Sequence, residues 1–175
     1  DPRLPHITAA DYAEQYRLAS QVRDSMNTLN TTLGDLRDVQ RQREALMAAA
    51  TRAGSEAALA ALADSLARKL TRLEVQLTQV RSKSGQDPIR FVGMLDNQWA
   101  ELYGNLTGTN GYINGGVDGK PTRGAGERLQ ELNARWAVLR AQWTEILNKD
   151  IPALNAAASQ LKLGAIALPA RTIIP

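Results

Sequence analysis

The chain has 175 residues, 43% of them hydrophobic and 22% charged, the balance of a folded domain with a core and not of a disordered segment. It has no Cys and a single His, His6, which excludes disulfides, thiol chemistry, thiolate metal sites and most histidine-based catalysis. Its net charge of +3 comes from 21 basic and 18 acidic residues that interleave, as in Arg37-Asp38, Arg43-Glu44 and Glu127-Arg128, so no basic face for nucleic acid is expected.

The aromatic content of 5% suits helices better than a sandwich of strands. No apolar run reaches the roughly 18 residues that would span a bilayer, so membrane insertion is not expected. The start, Asp1-Pro2-Arg3 without Met, reads as a segment of a longer protein, and residues 1–8, with Pro2 and Pro5, read as a linker from a preceding domain. Thr8 offers an N-cap oxygen, with Asp11 three residues later as a weaker cousin of the capping-box acid.

A first helix is predicted over about 9–53. Its apolar positions are Tyr12, Tyr16, Ala19, Val22, Met26, Leu29, Leu33 and Leu36; the pattern weakens through Gln40-Arg41-Gln42-Arg43 and returns at Leu46, Met47 and Ala50. Gly34 is the place for a kink, and Gly54 is the stop. A second helix is predicted over 55–82, with Leu59, Leu62, Leu66, Leu70, Leu73, Leu77 and Val80 stepping by three and four. Asp87-Pro88 pairs an N-cap with Pro at the first helical position, so a third helix is expected over 88–107, carrying Phe91, Leu95, Trp99, Leu102 and Leu106.

Residues 107–121 hold two Asn-Gly pairs and an Asp-Gly, which are turn formers, with a small hairpin expected around Tyr112 and Ile113. Thr122 or a neighbour caps a fourth helix over 123–162, with Leu129, Leu132, Trp136, Leu139, Trp143 and Ile146 on one stripe, a kink at Pro152 and a stop at Gly164. Residues 163–175 form an extended apolar tail.

The fold class expected is all-α, an antiparallel up-down-up-down four-helix bundle with a long first helix and that tail. At 1.5 Å per residue the first helix reaches roughly 65 Å, against about 40 Å and 30 Å for the next two, so one end of the bundle should hold only two helices. The tail is expected to cover that end, near residues 1–16, or to pack on a neighbouring domain.

No catalytic, cofactor-binding or metal-binding residue is assigned. The paired acids Asp35/Asp38 and Glu127/Glu131 lie on helix surfaces beside Arg, where ion pairing explains them. Trp99, Trp136 and Trp143 fall on apolar stripes and read as core. The loop glycines lack the lysine pattern of a phosphate cradle, and Asn110, Asn114 and Asp118 carry too little charge for a calcium loop. Asn30-Thr31-Thr32 and Asn105-Leu106-Thr107 match the glycosylation acceptor pattern, but each sits within a predicted helix. The residues that stand out for interaction are Ile166, Leu168, Ile173 and Ile174 in the tail, with Tyr112 and Ile113 in the loop.

Several stretches resemble the helical region at the C-terminal end of bacterial proteins built on Asp-box (BNR) repeat β-propellers, the sialidase-like or sortilin-like proteins often labelled glycosyl hydrolases. They are Asp1-Pro2-Arg3; Arg37-Asp38-Val39-Gln40-Arg41-Gln42; Ser84-Gly85-Gln86-Asp87-Pro88-Ile89 with Leu95-Asp96-Asn97; Pro121-Thr122 with Glu127-Arg128-Leu129; and Asp150-Ile151-Pro152-Ala153-Leu154-Asn155. The loop at 107–120 and the apolar tail depart from that pattern. The resemblance implies a non-catalytic accessory domain, periplasmic or extracellular, whose partner is a preceding β-propeller or immunoglobulin-like domain of the same chain. The alternative is a self-associating coiled-coil module forming a homodimer through the first helix, disfavoured by the polar face at Gln40, Arg41, Arg43 and Glu44.

Overall fold

The computed structural model describes residues 6–84, 90–109 and 119–168, and among them the chain is helical with no strand. The elements are α1 (Ala9–Arg52), α2 (Glu56–Leu77), α3 (Leu95–Thr107), α4 (Arg123–Glu145), a π-helical turn (Ile146–Asp150) and α5 (Ile151–Gln160). They fall into two compact units, Asp1–Thr31 with Val75–Leu139, and Thr32–Glu74 with Arg140–Pro175.

In the first unit, α1 starts at the expected cap. The Thr8 N–H donates to Asp11 Oδ2 at 2.9 Å, and the Asp11 N–H donates to Thr8 Oγ1 at 3.3 Å, so each side chain satisfies a backbone N–H that the helix start leaves orphaned. The core gathers Leu18, Val22 and Leu29 of α1, Leu77, Leu95, Trp99, Leu102 and Leu106, and Leu129, Leu132, Trp136 and Leu139 of α4. Each such side chain, fully buried, contributes roughly 1.5–3 kcal/mol. Trp99 meets Trp136 edge to face, with ring centroids 5.9 Å apart.

Within this unit α4 runs parallel to α1, because Lys120 lies 4.0 Å from Asp11 and, further along both helices, Ser25 donates to Asn133. The end of α3 sits at the start of α1, where Gln15 Nε2 donates to the Leu106 carbonyl at 2.6 Å; its beginning lies beside α4, where Arg128 donates to Gln98. So α3 is antiparallel to both. This reverses the up-down-up-down order, which makes α3 parallel and α4 antiparallel to α1. The reason is that α3 starts beside the end of α2 and leads away from it. Thr78 donates to Asp96 at 2.6 Å and Gln79 to the Val92 carbonyl at 2.9 Å.

Those same bonds move two helix boundaries. The second helix ends at Leu77, not 82, leaving Val80 exposed. The third begins at Leu95, not 88: residues 90–94 are non-helical, and the Asn97 side chain accepts from the Met94 N–H at 3.1 Å to close the first turn. Phe91 lies outside the helix, half-buried beneath the Arg81 guanidinium at 4.9 Å. The Asp87-Pro88 start signal lies outside the described residues.

In the second unit, α2 is antiparallel to the later half of α1, with Arg37 bound to Glu74 at 2.8 Å and Thr51 to Glu56 at 2.9 Å. Gly54 makes the turn between them at φ 68°, and the Ser55 N–H reaches the Ala50 carbonyl. Leu33, Leu36, Val39, Leu46 and Ala50 share this core with Leu59, Ala63, Leu66, Leu70 and Leu73, and Trp143, Ile146, Ile151, Leu154 and Ala158 complete it. Ala63, not Leu62, is the buried position, and in the first unit Leu18 takes the place expected for Tyr16, which is 72% exposed.

Pro152 does not interrupt the fourth helical run. The π turn before it carries the chain through, with the Ile151 N–H donating to the Ile146 carbonyl. A wider turn absorbs the missing N–H and the bulk of a proline ring.

Candidate interaction site

Residues 163–168 pack within the second unit, against the later half of α1 and against α5, whereas residues 1–16, the expected seat of the tail, belong to the first unit. The chain turns out of α5 through Leu161 and Lys162: the Lys162 N–H donates to the Ser159 carbonyl and the Leu163 N–H to the Ala158 carbonyl, both at 3.0 Å. Lys162 holds the left-handed position of this turn at φ 58°, a place usually given to glycine. Gly164, the expected stop, is not at positive φ.

Two side-chain amides then grip the segment by its backbone. Asn155 Nδ2 donates to the Ile166 carbonyl at 2.9 Å while its Oδ1 accepts from the Ile166 N–H at 2.8 Å. Gln42 Nε2 donates to the Ala167 carbonyl at 2.6 Å while its Oε1 accepts from the Ala167 N–H at 2.7 Å. Consecutive residues are thus read in the manner of a strand pairing, one from α5 and the other from α1. Asp38, one turn before Gln42, accepts from Gln42 Nε2 at 2.8 Å and so fixes which way that amide faces.

Among the tail residues singled out from the sequence, Ile166 is the anchor and is 5% exposed, so it is core and not free surface; Leu168 is half-buried. Tyr112, Ile113, Ile173 and Ile174 lie outside the described residues. Gln42 and Asn155 are functional candidates that the sequence pattern does not single out. Both stand in plain view, within Gln40-Arg41-Gln42-Arg43 and Leu154-Asn155, but apolar periodicity does not register a polar clamp.

In the same unit, Lys69 of α2 is bound to Asp150 by both carboxylate oxygens, at 2.8 and 2.9 Å. The Asp150 hydrogen bond raises the Lys69 pKa above its ordinary 10.5, against a smaller opposing effect of desolvation. Arg43 falls on the core register between Val39 and Leu46. Its side chain is 15% exposed, and its Nε is buried with no hydrogen-bond partner.

Three of the paired surface acids are engaged by cations: Asp38 by Arg41 at 2.6 Å, Glu127 by Arg123 at 3.2 Å and Glu131 by Arg128 at 2.6 Å. Among the described residues no three His, Cys, Asp or Glu side chains gather as a metal site, and no helix is long and apolar enough to cross a membrane. His6 is exposed, and Trp99, Trp136 and Trp143 are buried. Asn30 lies within α1 and Asn105 within α3. No family model matches the chain, and no curated protein or solved structure matches it.

Proposed function

We propose that this chain is a non-catalytic helical interaction module of a larger exported protein. The observation that carries this reading is the Gln42–Asn155 clamp, which holds an extended segment through main-chain groups and asks for one apolar anchor. Chemistry of this kind recognises a polypeptide and not a small substrate, because it completes the hydrogen bonds of a strand. The ion pairing of Asp38, Glu127 and Glu131 points the same way, since acids neutralised on helix faces are poorly suited to proton transfer. The resemblance of the short stretches quoted from the sequence to the helical ends of propeller proteins is the support for a preceding β-propeller or immunoglobulin-like domain as neighbour, and with it a periplasmic or extracellular location.

The test frees the groove and offers it a peptide. Ile166→Ser in the full chain removes the anchor, and a fluorescent peptide of residues 161–175 is then titrated in. Saturable binding that is lost when Gln42→Ala and Asn155→Ala are added supports a polypeptide groove. Absence of binding, or binding that ignores the two amides, overturns it.

A further inference from the structure

We infer that residues 163–168 are an exchangeable arm, and that the occupant of the Gln42–Asn155 groove in a dimer is the same segment of a second copy. This rests on the reading of the clamp as a polypeptide groove and names its partner. The bonds that grip the segment run between a main-chain group of Ile166 or Ala167 and the Gln42 or Asn155 amide. A segment from another copy makes the same bonds and buries the same Ile166 side chain, so exchange sacrifices none of them.

The hinge supplies the bias toward opening. In the closed chain α5 stops at Gln160 because Lys162 is held at φ 58°, strained for any residue with a side chain. Two residues further on stands Gly164, where an added Cβ would meet nothing within 4 Å and where φ is not positive in this state. Leu161, Lys162 and Leu163 are all compatible with a helix. If α5 continues through Leu163, Lys162 relaxes to the right-handed region and Gly164 takes the left-handed stop that glycine fills without penalty. The chain therefore holds two stop positions, a strained one that folds the arm back and a relaxed one that points it away.

Substitutions at one hinge residue in the full chain test this, read by light scattering after refolding over a concentration series. Lys162→Gly removes the strain of the closed state and is expected to weaken dimerisation by about tenfold for each of the two hinges. Lys162→Val is expected to strengthen it, because a β-branched residue tolerates positive φ least. The dimer, at twice 19.0 kDa, should vanish when Ile166→Ser is added. A Lys162→Val chain that stays monomeric, or a dimer that survives Ile166→Ser, overturns exchange; so does a wild-type chain that dimerises no more than Lys162→Gly. Peptide capture by the Ile166→Ser chain, with no dimer of the wild-type or Lys162→Val chain at any concentration, would sink exchange and leave the groove intact.

Discussion

The Lys69 ammonium sits across both oxygens of Asp150, joining the middle of α2 to the π turn two residues before Pro152. The pair is unequally exposed, with the Lys69 side chain at 41% and the Asp150 side chain at 17%, so water screens it from one side. Its worth is therefore near the upper end for a surface pair, about 1 kcal/mol. Lys69→Met and Asp150→Asn should each lower the denaturant midpoint by a similar amount, and the double variant should lose little more than either single one. Because the folded pKa of Lys69 is raised, the pair's contribution is fully present below 10.5 and is lost as pH climbs through the higher folded value. The alkaline fall in melting temperature should be shallower in Lys69→Met than in the wild type. Strictly additive losses in the double variant would show that the two groups do not act together.

Gly54 and Lys162 occupy equivalent positions in two helix-ending turns, at φ 68° and 58°. Only one of them is glycine. A Cβ at Gly54 would meet nothing within 4 Å, so Gly54→Ala isolates the backbone penalty and should destabilise by about 1 kcal/mol. Lys162→Gly should recover part of the same penalty, less the extra freedom that glycine gives the unfolded chain, for a net gain of about 0.5 kcal/mol. Equilibrium urea unfolding at low protein concentration decides both. A Lys162→Gly chain that is less stable than the wild type would mean that the Lys162 side chain contributes more than its conformation costs.

The helical character and the stripe of α4 and the start of the π turn were legible in the sequence, because Leu129, Leu132, Trp136, Leu139, Trp143 and Ile146 leave no competing register. Where two registers competed, residue size misled. Leu62 looks more like core than Ala63, and Tyr16 more than Leu18, yet the smaller side chain at 63 and the leucine at 18 fall on the buried face. Arg43 hid the continuity of the α1 stripe through Val39, Arg43 and Leu46, since a guanidinium can lie along a core while its tip stays near water. Helix direction was not legible at all. A stripe of apolar residues reads the same for parallel and antiparallel neighbours, and the order in the first unit is fixed by ties such as Gln15 to Leu106, which leave no periodic trace. The clamp escapes the same pattern for the same reason.

Gly119 tests how tightly the start of α1 is packed. Its φ is 137°, and a Cβ there would lie 2.8 Å from Ile7 Cγ2. Its N–H also donates to Gln15 Oε1 at 3.3 Å, so the chain ahead of α4 meets both Gln15 of α1 and Ile7 just before that helix. Gly119→Ala should destabilise through both collision and conformation. Adding Ile7→Ala removes the collision alone, so the double variant should be more stable than the sum of the two single losses predicts, a coupling on the order of 1 kcal/mol. Simple additivity would place Ile7 away from Gly119 in solution.

The cap at Thr8 carries a pH signature. The Thr8 hydroxyl donates to Asp11 Oδ2 at 2.7 Å, and this bond, followed by that from the Thr8 N–H, holds the Asp11 carboxyl below its ordinary 3.8, with the charges of Lys120 and His6 adding to it. A depressed carboxylate stabilises above the unfolded value and ceases to do so as pH falls through the folded one. The start of α1 should therefore fray only below 3.8. In Thr8→Ala the Asp11 titration, followed by carboxyl chemical shift, should move up toward 3.8. An unmoved midpoint would assign the depression to the residue 8 N–H, which alanine keeps, together with Lys120 and His6.

Asn155 offers the sharpest test of how the arm is held, because Asn155→Asp changes no shape. The amide donates one hydrogen bond and accepts another on Ile166, and a carboxylate can only accept. The Ile166 N–H keeps its partner, while the Ile166 carbonyl faces a negative charge in place of a donor. Losing that donor should cost about 1–3 kcal/mol locally, since the carbonyl is part-buried. The loss falls on the arm and not on the helices, so global unfolding should shift little while amide exchange at Ile166 and Ala167 accelerates by about tenfold or more, as about 1.4 kcal/mol implies. Gln42→Glu should act likewise and more strongly, because Asp38 already places a carboxylate 2.8 Å from the Gln42 amide nitrogen and a second negative charge there is repelled. Lowering the pH until the new acid is protonated restores a donor, so exchange at the arm should slow again in both variants, after correction for the intrinsic pH dependence of amide exchange. Exchange at Ile166 that stays fast in Asn155→Asp under acid would mean that the shape of the amide, and not its donor, holds the arm.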